Sequence, residues 1–318
     1  MIVYTATGER LTIKDVPFSK GGEGAVFQIP SNSQYCVKIY HPEKRNAERK
    51  RKLEYMVLHP PSPLITKQYI ICWPIKVIYD QCKNFIGFVM PMAFKDSVLC
   101  YEICRMGIDR DLGNIWVNCY NRRSRLGLIN RLKLIDNIAL PINAIHSMGK
   151  YVLVDFKPQN MLITSDGRIS IIDLDSVQIK DGTQQFLCPV ATPEYLPPEL
   201  QHDQNLGKKA LDTSCDRFAL AVIFYQILYG LHPFTVTAQD HRISEIRELI
   251  AKGLFPFGRY SHKIKVVPAP HQRYEILPPE IKRLFRHAFD AIPHARPTAE
   301  DWGVILYDFI TKVQKSMK

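Results

Sequence analysis

The run Val154-Asp155-Phe156-Lys157-Pro158-Gln159-Asn160 leads into the apolar Met161-Leu162-Ile163, and 13 residues after Asn160 stands Asp173, in Ile171-Ile172-Asp173-Leu174-Asp175. Asp155, Asn160 and Asp173 offer oxygen donors and a base, a set suited to Mg2+ and a hydroxyl substrate. A single loop aspartate is usually a cap or turn former, so the weight lies on the joint spacing. Two weaker signals lie upstream. Ser19-Lys20-Gly21-Gly22-Glu23-Gly24-Ala25-Val26 sits between strand-like runs. Glycines there let backbone N–H groups approach phosphate oxygens, although a hairpin turn explains a Gly-Gly pair equally well. Further on, Cys36-Val37-Lys38 sets a lysine in an apolar strand. It stands either on a solvated edge or against a phosphate.

The chain has 318 residues, 46% apolar and 23% charged, enough for a real core and for two domains or one two-lobed domain. Lys and Arg number 42 against 31 Asp and Glu, a net charge of +11. That surplus suits an anionic partner, be it nucleotide, phosphopeptide, nucleic acid or anionic surface. No run of about eighteen apolar residues exists, so no membrane span is expected. Met1 to Lys14 lacks the charged-then-apolar pattern of a secretory leader, which points to a cytoplasmic setting. The eight cysteines form no C-x-x-C pair. Cys100 and Cys104 read as buried small side chains rather than a metal pair, and reduced thiols are the expectation.

Residues 1–92 read as strands with one helix, and 93–318 as mainly helical. Gly24–Pro30 and Gln34–Tyr40 have the alternation of a hairpin, and His41–Leu58 reads as a helix closed by His59-Pro60-Pro61. Leu132, Ile135, Ile138, Ile142 and Ile145 mark one buried helix face, with a kink expected at Pro141. Asp216–Gly230 is apolar nearly all round and reads as a buried helix; further helices are expected at 243–252, 278–290 and 299–314.

Taken in order, these segments resemble the protein-kinase superfamily over nearly the whole chain. Gly21, Gly22, Gly24 and Val26 match the glycine-rich loop, with Ser19 in place of its first glycine. Lys38 matches the strand lysine, Asp155 and Asn160 the catalytic loop, and Asp173 the metal aspartate. Thr192-Pro193-Glu194-Tyr195-Leu196-Pro197-Pro198-Glu199 is similar to G-T-P-E-Y-x-A-P-E. Asp216 opens the central helix, and Arg296 is the late arginine that pairs with Glu199.

The resemblance implies an α+β, bilobal kinase-like fold with a small antiparallel β-rich lobe carrying one helix and a larger helical lobe. It implies transfer of the ATP γ-phosphoryl group with Mg2+ or Mn2+. Lys38 would bind phosphates and be held by a helix glutamate, either Glu54 or Glu48, with Glu54 preferred because it neighbours Leu53, Val57 and Leu58. Asn160 and Asp173 would hold metal, and Asp155 would serve as base. Val26, Cys36 and Leu162 would enclose the adenine. Met90-Pro91-Met92-Ala93 would be the hinge, with Met90 guarding the back pocket. Lys157 fits the Ser/Thr-type loop, and Thr192 is the structural threonine near Asp155 and Lys157.

Two departures stand out. Leu153-Val154 replaces the H-R of H-R-D, which implies a kinase not gated by an activation-loop phosphate. Asp175 replaces the glycine of D-F-G, which either restricts an inactive flip or weakens metal binding. A pseudokinase scaffold and a small-molecule phosphotransferase are the alternatives. Nucleic-acid binding is disfavoured, because the basic runs Lys44–Lys52 and Arg122–Arg125 lack interleaved aromatics apart from nearby Tyr120. Gly21-Gly22-Glu23-Gly24, the Asp173–Ser176 run and Cys188-Pro189 look like a bacterial branch found beside a PP2C-type phosphatase and a von Willebrand A-domain protein.

Overall fold

Seven short strands near the N-terminus share one antiparallel sheet. In a computed structural model, which describes residues 1–108 and 110–315, the strands are β1 (Ile2–Thr5), β2 (Arg10–Thr12), β3 (Ser19–Lys20), β4 (Gly24–Gln28), β5 (Tyr35–Tyr40), β7 (Lys76–Tyr79) and β8 (Phe85–Pro91). Their order is β2-β1-β7-β8-β5-β4-β3, with β6 (Tyr69–Ile71) outside this sheet. Alternating side chains put Val3, Phe27, Val37, Ile78, Ile86 and Val89 into one buried cluster. The expected hairpin is present, with Gly24 opposite Tyr40 and Val26 opposite Lys38.

Between β5 and β6 runs α1 (Ala47–Leu58). Asn46 caps it, its side-chain oxygen accepting the Arg49 N–H at 2.8 Å. The helix therefore starts later than the sequence suggests, after a single 3-10 turn at Pro42–Lys44. Its buried residues are Lys52, Leu53 and Met56, and the Trp73 indole N–H donates to Met56 O at 2.9 Å.

The chain separates into two compact units, Met1–Lys95 with Ser170–Asp175, and Asp96–Ile169 with Ser176–Lys318. The sequence reading divides the chain at residue 92 and leaves 170–175 in the later part. Backbone bonding moves that hexapeptide to the first unit. Cys72 N–H donates to Ile171 O at 2.9 Å, and Phe94 N–H donates to the Ser170 hydroxyl at 3.0 Å.

The second unit is mainly helical. Its helices are α2 (Tyr101–Cys104), α3 (Asn114–Cys119), α4 (Arg125–His146), α5 (Ser214–Tyr229), α6 (Ile246–Ala251), α7 (Pro279–Asp290) and α8 (Ala299–Lys315). Short strands β9 (Val98–Leu99) and β11 (Met161–Ile163) pair, and β10 (Tyr151–Val152) pairs with β13 (Gln178–Asp181), which pairs in turn with β14 (Gln184–Phe186). Strand β12 (Ile169–Ile171) begins at the last residue of the Asp96–Ile169 stretch of the second unit and continues into Ser170 and Ile171 of the first. Pro141 lies inside α4, whose buried face carries the isoleucines anticipated. Helix α5 is buried on nearly all sides and ends at Gly230 in the left-handed region, φ +78°. A Cβ at Gly230 would stand 2.8 Å from the Arg105 backbone carbonyl oxygen, so the position needs glycine. Arg131, 1% exposed, donates to Ile227 O at 2.6 Å and also to Tyr120 O, placing a cation at the C-terminal end of α5. Cys100 and Cys104 are both buried, and no metal cluster of His, Cys, Asp and Glu occurs among the described residues. No described helix is long and apolar enough to cross a membrane.

The segment after α5 is tied down by two neutral histidines. His232 Nε2–H donates to Glu194 O at 2.8 Å, while its Nδ1 accepts the Phe234 N–H at 3.3 Å. Burial lowers its pKa from 6.5 to about 4, and burial lowers that of His271 as well. The unfolded chain therefore binds more protons between these values, so stability is complete above pH 6.5 and declines as pH falls toward 4. The His232 contribution amounts to about 3 kcal/mol. Urea unfolding at stepped pH should show this slope, and His232→Asn should flatten it; an unaltered slope in His232→Asn would contradict the assignment.

Candidate functional site

Within the second unit, the turn after β10 is built on Asp216. This fully buried carboxylate, in the first turn of α5, accepts the N–H groups of Leu153 at 2.7 Å and Val154 at 2.9 Å. It also receives His146 Nε2 at 2.9 Å. Val154 has φ +63°, a left-handed conformation that costs a β-branched residue free energy. Two charge-assisted bonds to one buried carboxylate offset that strain. The turn they fix projects Asp155, which is followed by Lys157 and Asn160.

The Asp155 carboxylate is oriented from both sides. Thr192 Oγ1 donates to Oδ1 at 2.6 Å, and Lys157 Nζ lies 2.7 Å from Oδ2. Lys157 also donates to Thr192 Oγ1 at 2.9 Å, closing a three-residue cluster. Asn160 Nδ2 donates to the Asp155 carbonyl at 2.8 Å, a bond that orients the amide and leaves its oxygen as the atom a cation would use. Further along, Arg296 grips Glu199 in a two-pronged pair at 2.6 and 2.7 Å and also donates to Ser214 O. That pair fixes the end of the Thr192–Glu199 segment as anticipated. Leu162, on β11, is half-buried and stands opposite Leu99.

The first unit holds the second cluster. Lys38, buried in β5, lies 2.8 Å from Asp175, 3.3 Å from Asp173 and 4.0 Å from Glu23. Tyr40 O–H donates to the other Asp175 oxygen at 2.6 Å. Burial works against the Lys38 charge, yet Asp175, Asp173 and Glu23 outweigh it and hold the ammonium above its ordinary pKa. Burial pushes the Asp175 carboxyl up, while Lys38 and the Tyr40 hydroxyl pull it further down, to about 2. The Asp173 side chain is 56% exposed against 2% for Asp175, so the two carboxylates have different environments. Asp173 has φ +56°.

The glycine-rich turn joins β3 to β4, Gly21 N–H donating to Gly24 O at 2.9 Å. Gly24 is obligatory, because a Cβ would meet Ile39 O at 2.2 Å, whereas Gly21 and Gly22 have open space beside them. Val26 is half-buried, and Cys36 and Met90 are buried opposite each other in the sheet. Burial pushes the Cys36 thiol up to about 12, so it is an inert, apolar side chain. Met92 N–H already donates to Gln34 O at 2.8 Å, so that amide is committed to the fold.

The helix glutamate is the expectation the structure corrects. Glu54 lies 3.6 Å from Lys50 and receives the Tyr79 hydroxyl at 3.5 Å, while Lys38 pairs with Asp175, Asp173 and Glu23. From the sequence, Glu54 lies among Leu53, Val57 and Leu58 and is expected to share their apolar side. Leu58 is 75% exposed, and the buried face is Lys52, Leu53 and Met56. Glu54 therefore projects elsewhere. The residues that the sequence reading missed are Tyr40, Arg49 and the pairing role of Asp175. The legible signal was a basic helix, Arg49-Lys50-Arg51-Lys52, whose only carboxylates lie off the buried face.

The model of the protein kinase domain matches residues 19–304. The chain belongs to the protein kinase family. Among curated relatives, Protein kinase YegI of Escherichia coli O157:H7 is 26% identical over 312 residues, covering 96% of this chain and 45% of that protein. The YegI protein of Escherichia coli strain K12 is 25% identical, covering 98% of this chain and 47% of its own length. This kinase domain thus spans about half the length of the curated relatives it matches. The Drosophila melanogaster serine/threonine-protein kinase Genghis Khan is 39% identical over 102 residues, 31% of this chain and 6% of that protein. In structure, the ROP18 kinase domain in complex with AMP-PNP and sucrose superposes with a TM-score of 0.61 at 15% identity, covering 99% of this chain and 85% of that one. That likeness carries the fold: an antiparallel β-rich N-terminal region and a helical C-terminal one.

The Asp216 anchor gives a direct test. Asp216→Ala leaves two buried N–H groups without an acceptor, at a cost of about 2–6 kcal/mol. Urea unfolding should show a loss in that range, whereas a loss below about 1 kcal/mol would mean that Val154 holds its conformation by other means.

Proposed function

We propose that this kinase domain is a serine/threonine protein kinase that transfers the γ-phosphoryl group of ATP to a protein hydroxyl. The observation that carries the reading is the Asp155–Lys157–Thr192 cluster, a carboxylate held on both oxygens by a hydroxyl and an ammonium. Asp155 would orient the acceptor hydroxyl and take its proton, and Lys157 would offset charge on the moving phosphoryl group. A lysine two residues after the base favours Ser/Thr acceptors over Tyr. Lys38 would bind the nucleotide phosphates, and the open space beside Gly21 and Gly22 supports close approach of the loop backbone to them. Val26, Cys36, Met90 and Leu162 would line the adenine site. Reading of the adenine edge falls to hinge groups other than the Met92 N–H.

The donor set suits a hard divalent cation, since the Asp173 carboxylate is half exposed and the Asn160 amide oxygen is left over from the loop's own bonding. Asp173 and Asn160 would hold Mg2+ or Mn2+, which neutralises phosphate charge when bound. A cytoplasmic setting belongs to the same reading. A PP2C-type phosphatase and a von Willebrand A-domain protein are proposed as partners on the subfamily resemblance alone.

The experiment is transfer of labelled γ-phosphate to a generic protein substrate at saturating Mg2+. Asp173→Asn keeps the shape and removes the charge, so the rate should fall about 100-fold or more, ~2.7 kcal/mol of barrier. Circular dichroism should remain native. Undiminished transfer by folded Asp173→Asn would sink the assignment, and label recovered in a small alcohol instead of protein would favour a small-molecule phosphotransferase. With Val154 where an arginine would precede Asp155, no phosphate-binding cation stands there. Phosphatase-treated protein and Thr183→Ala should therefore keep most of their activity toward an external peptide; a tenfold loss restored by rephosphorylation at Thr183 would contradict this.

A further inference from the structure

We infer that Asp175 is the positioning carboxylate for Lys38, taking the place that a helix glutamate would fill, with Tyr40 fixing its second oxygen. This rests on the reading of Lys38 as the phosphate-binding lysine.

The geometry is specific. Lys38 Nζ donates to Asp175 Oδ1 at 2.8 Å, and Tyr40 O–H donates to Oδ2 at 2.6 Å. Both carboxylate oxygens are thus used, each by a side chain of β5. The Asp175 side chain is 2% exposed, so water does not compete for either oxygen. Helix α1 presents Lys52 on its buried face, and Arg49 feels the charges of Glu23, Tyr40 and Asp175. The Arg49 guanidinium lies 4.5 Å from the Tyr40 ring centroid and donates to Glu23 at 2.7 Å. Glu54, the carboxylate expected to do this work, is engaged with Lys50 and Tyr79.

A lysine held by a glutamate on a helix is released when that helix turns. Here the holder follows two residues after Asp173 in the same short segment, so the position of Lys38 depends on that segment and not on a carboxylate of α1. Lys38 touches Asp173 as well, at 3.3 Å. Asp175 gives the ammonium a partner that stays when Asp173 turns to another cation.

The test compares Asp175→Asn, Tyr40→Phe, Lys38→Met and Glu54→Gln by initial rates over a range of ATP at saturating Mg2+, with circular dichroism to measure the folded fraction. Asp175→Asn should lower kcat about 30-fold or more while KM for ATP moves less than about threefold, because a misplaced lysine harms the transition state more than binding. In the Lys38→Met background, adding Asp175→Asn should not weaken binding of a fluorescent nucleotide any further, the non-additivity that a shared role requires. A merely structural role would instead scale kcat with the folded fraction and weaken nucleotide binding regardless of Lys38, and either result would overturn the inference. If Asp175→Asn does not fold, Tyr40→Phe decides: a kcat loss of about three- to tenfold supports the inference, and an unchanged kcat overturns it. Loss of activity in Glu54→Gln with Asp175→Asn fully active would restore the helix glutamate. An active Lys38→Met would refute the functional reading itself, a result distinct from all of these.

Discussion

A buried ammonium needs a carboxylate within reach, and in this protein that requirement organises the first unit around Lys38. The strand that carries it is buried on both sides, between β4 and β8, and its neighbours are aromatic. The Tyr40 and Phe88 ring centroids lie 5.7 and 6.0 Å from the ammonium. Rings alone do not compensate desolvation of a full charge. Asp175 supplies the compensation, and its own burial becomes tolerable only because Lys38 and Tyr40 use both of its oxygens. The pair adds to the Cys72 and Phe94 bonds that hold Ser170–Asp175, distant in sequence, with the first 95 residues. It also separates two aspartates that look alike in sequence: Asp175 is closed into the fold, whereas Asp173 stays half exposed.

The second unit solves a comparable problem with the opposite charge. Asp216 is fully buried at the start of an apolar helix, and it is satisfied by two backbone N–H groups and His146. Those bonds hold Val154 in a conformation its side chain disfavours, and the resulting turn presents Asp155 to Thr192 and Lys157. The bidentate Arg296–Glu199 pair then fixes the segment from which Thr192 comes. This scaffold does not depend on the side chains at 153 and 154, because Asp216 binds the backbone N–H groups of Leu153 and Val154.

Much of this was legible in the sequence. The β4–β5 hairpin, the buried α5 helix and the α4 isoleucine face follow from periodicity alone. Spacing singled out Asp155, Asn160 and Asp173, and the resemblance to the protein-kinase motifs added Lys38, Glu199, Asp216 and Arg296. What failed was the assumption that the carboxylate facing Lys38 must come from α1. Sequence spacing fixes which residues share a helix face, but not which face is buried, and Leu58 at the exposed end misled the choice. A lysine at position 52, next to Leu53, was the physical clue. The role of Asp175 had no local signal, since nothing in Asp-Leu-Asp tells which aspartate turns inward. That depends on Tyr40, 135 residues away in sequence. The placement of 170–175 with the first unit was hidden for the same reason, because it depends on backbone bonds to Cys72 and Phe94.

The most direct measurement is a crystal structure of this kinase domain with Mg2+ and AMP-PNP. Lys38 Nζ should remain within hydrogen-bond distance of Asp175, with Tyr40 on the other carboxylate oxygen, while Asp173 turns from Lys38 to the metal and the ammonium reaches a phosphate oxygen. Lys38 bonded instead to Glu54 or Glu48 of α1, with Asp175 turned out to solvent, would contradict the account.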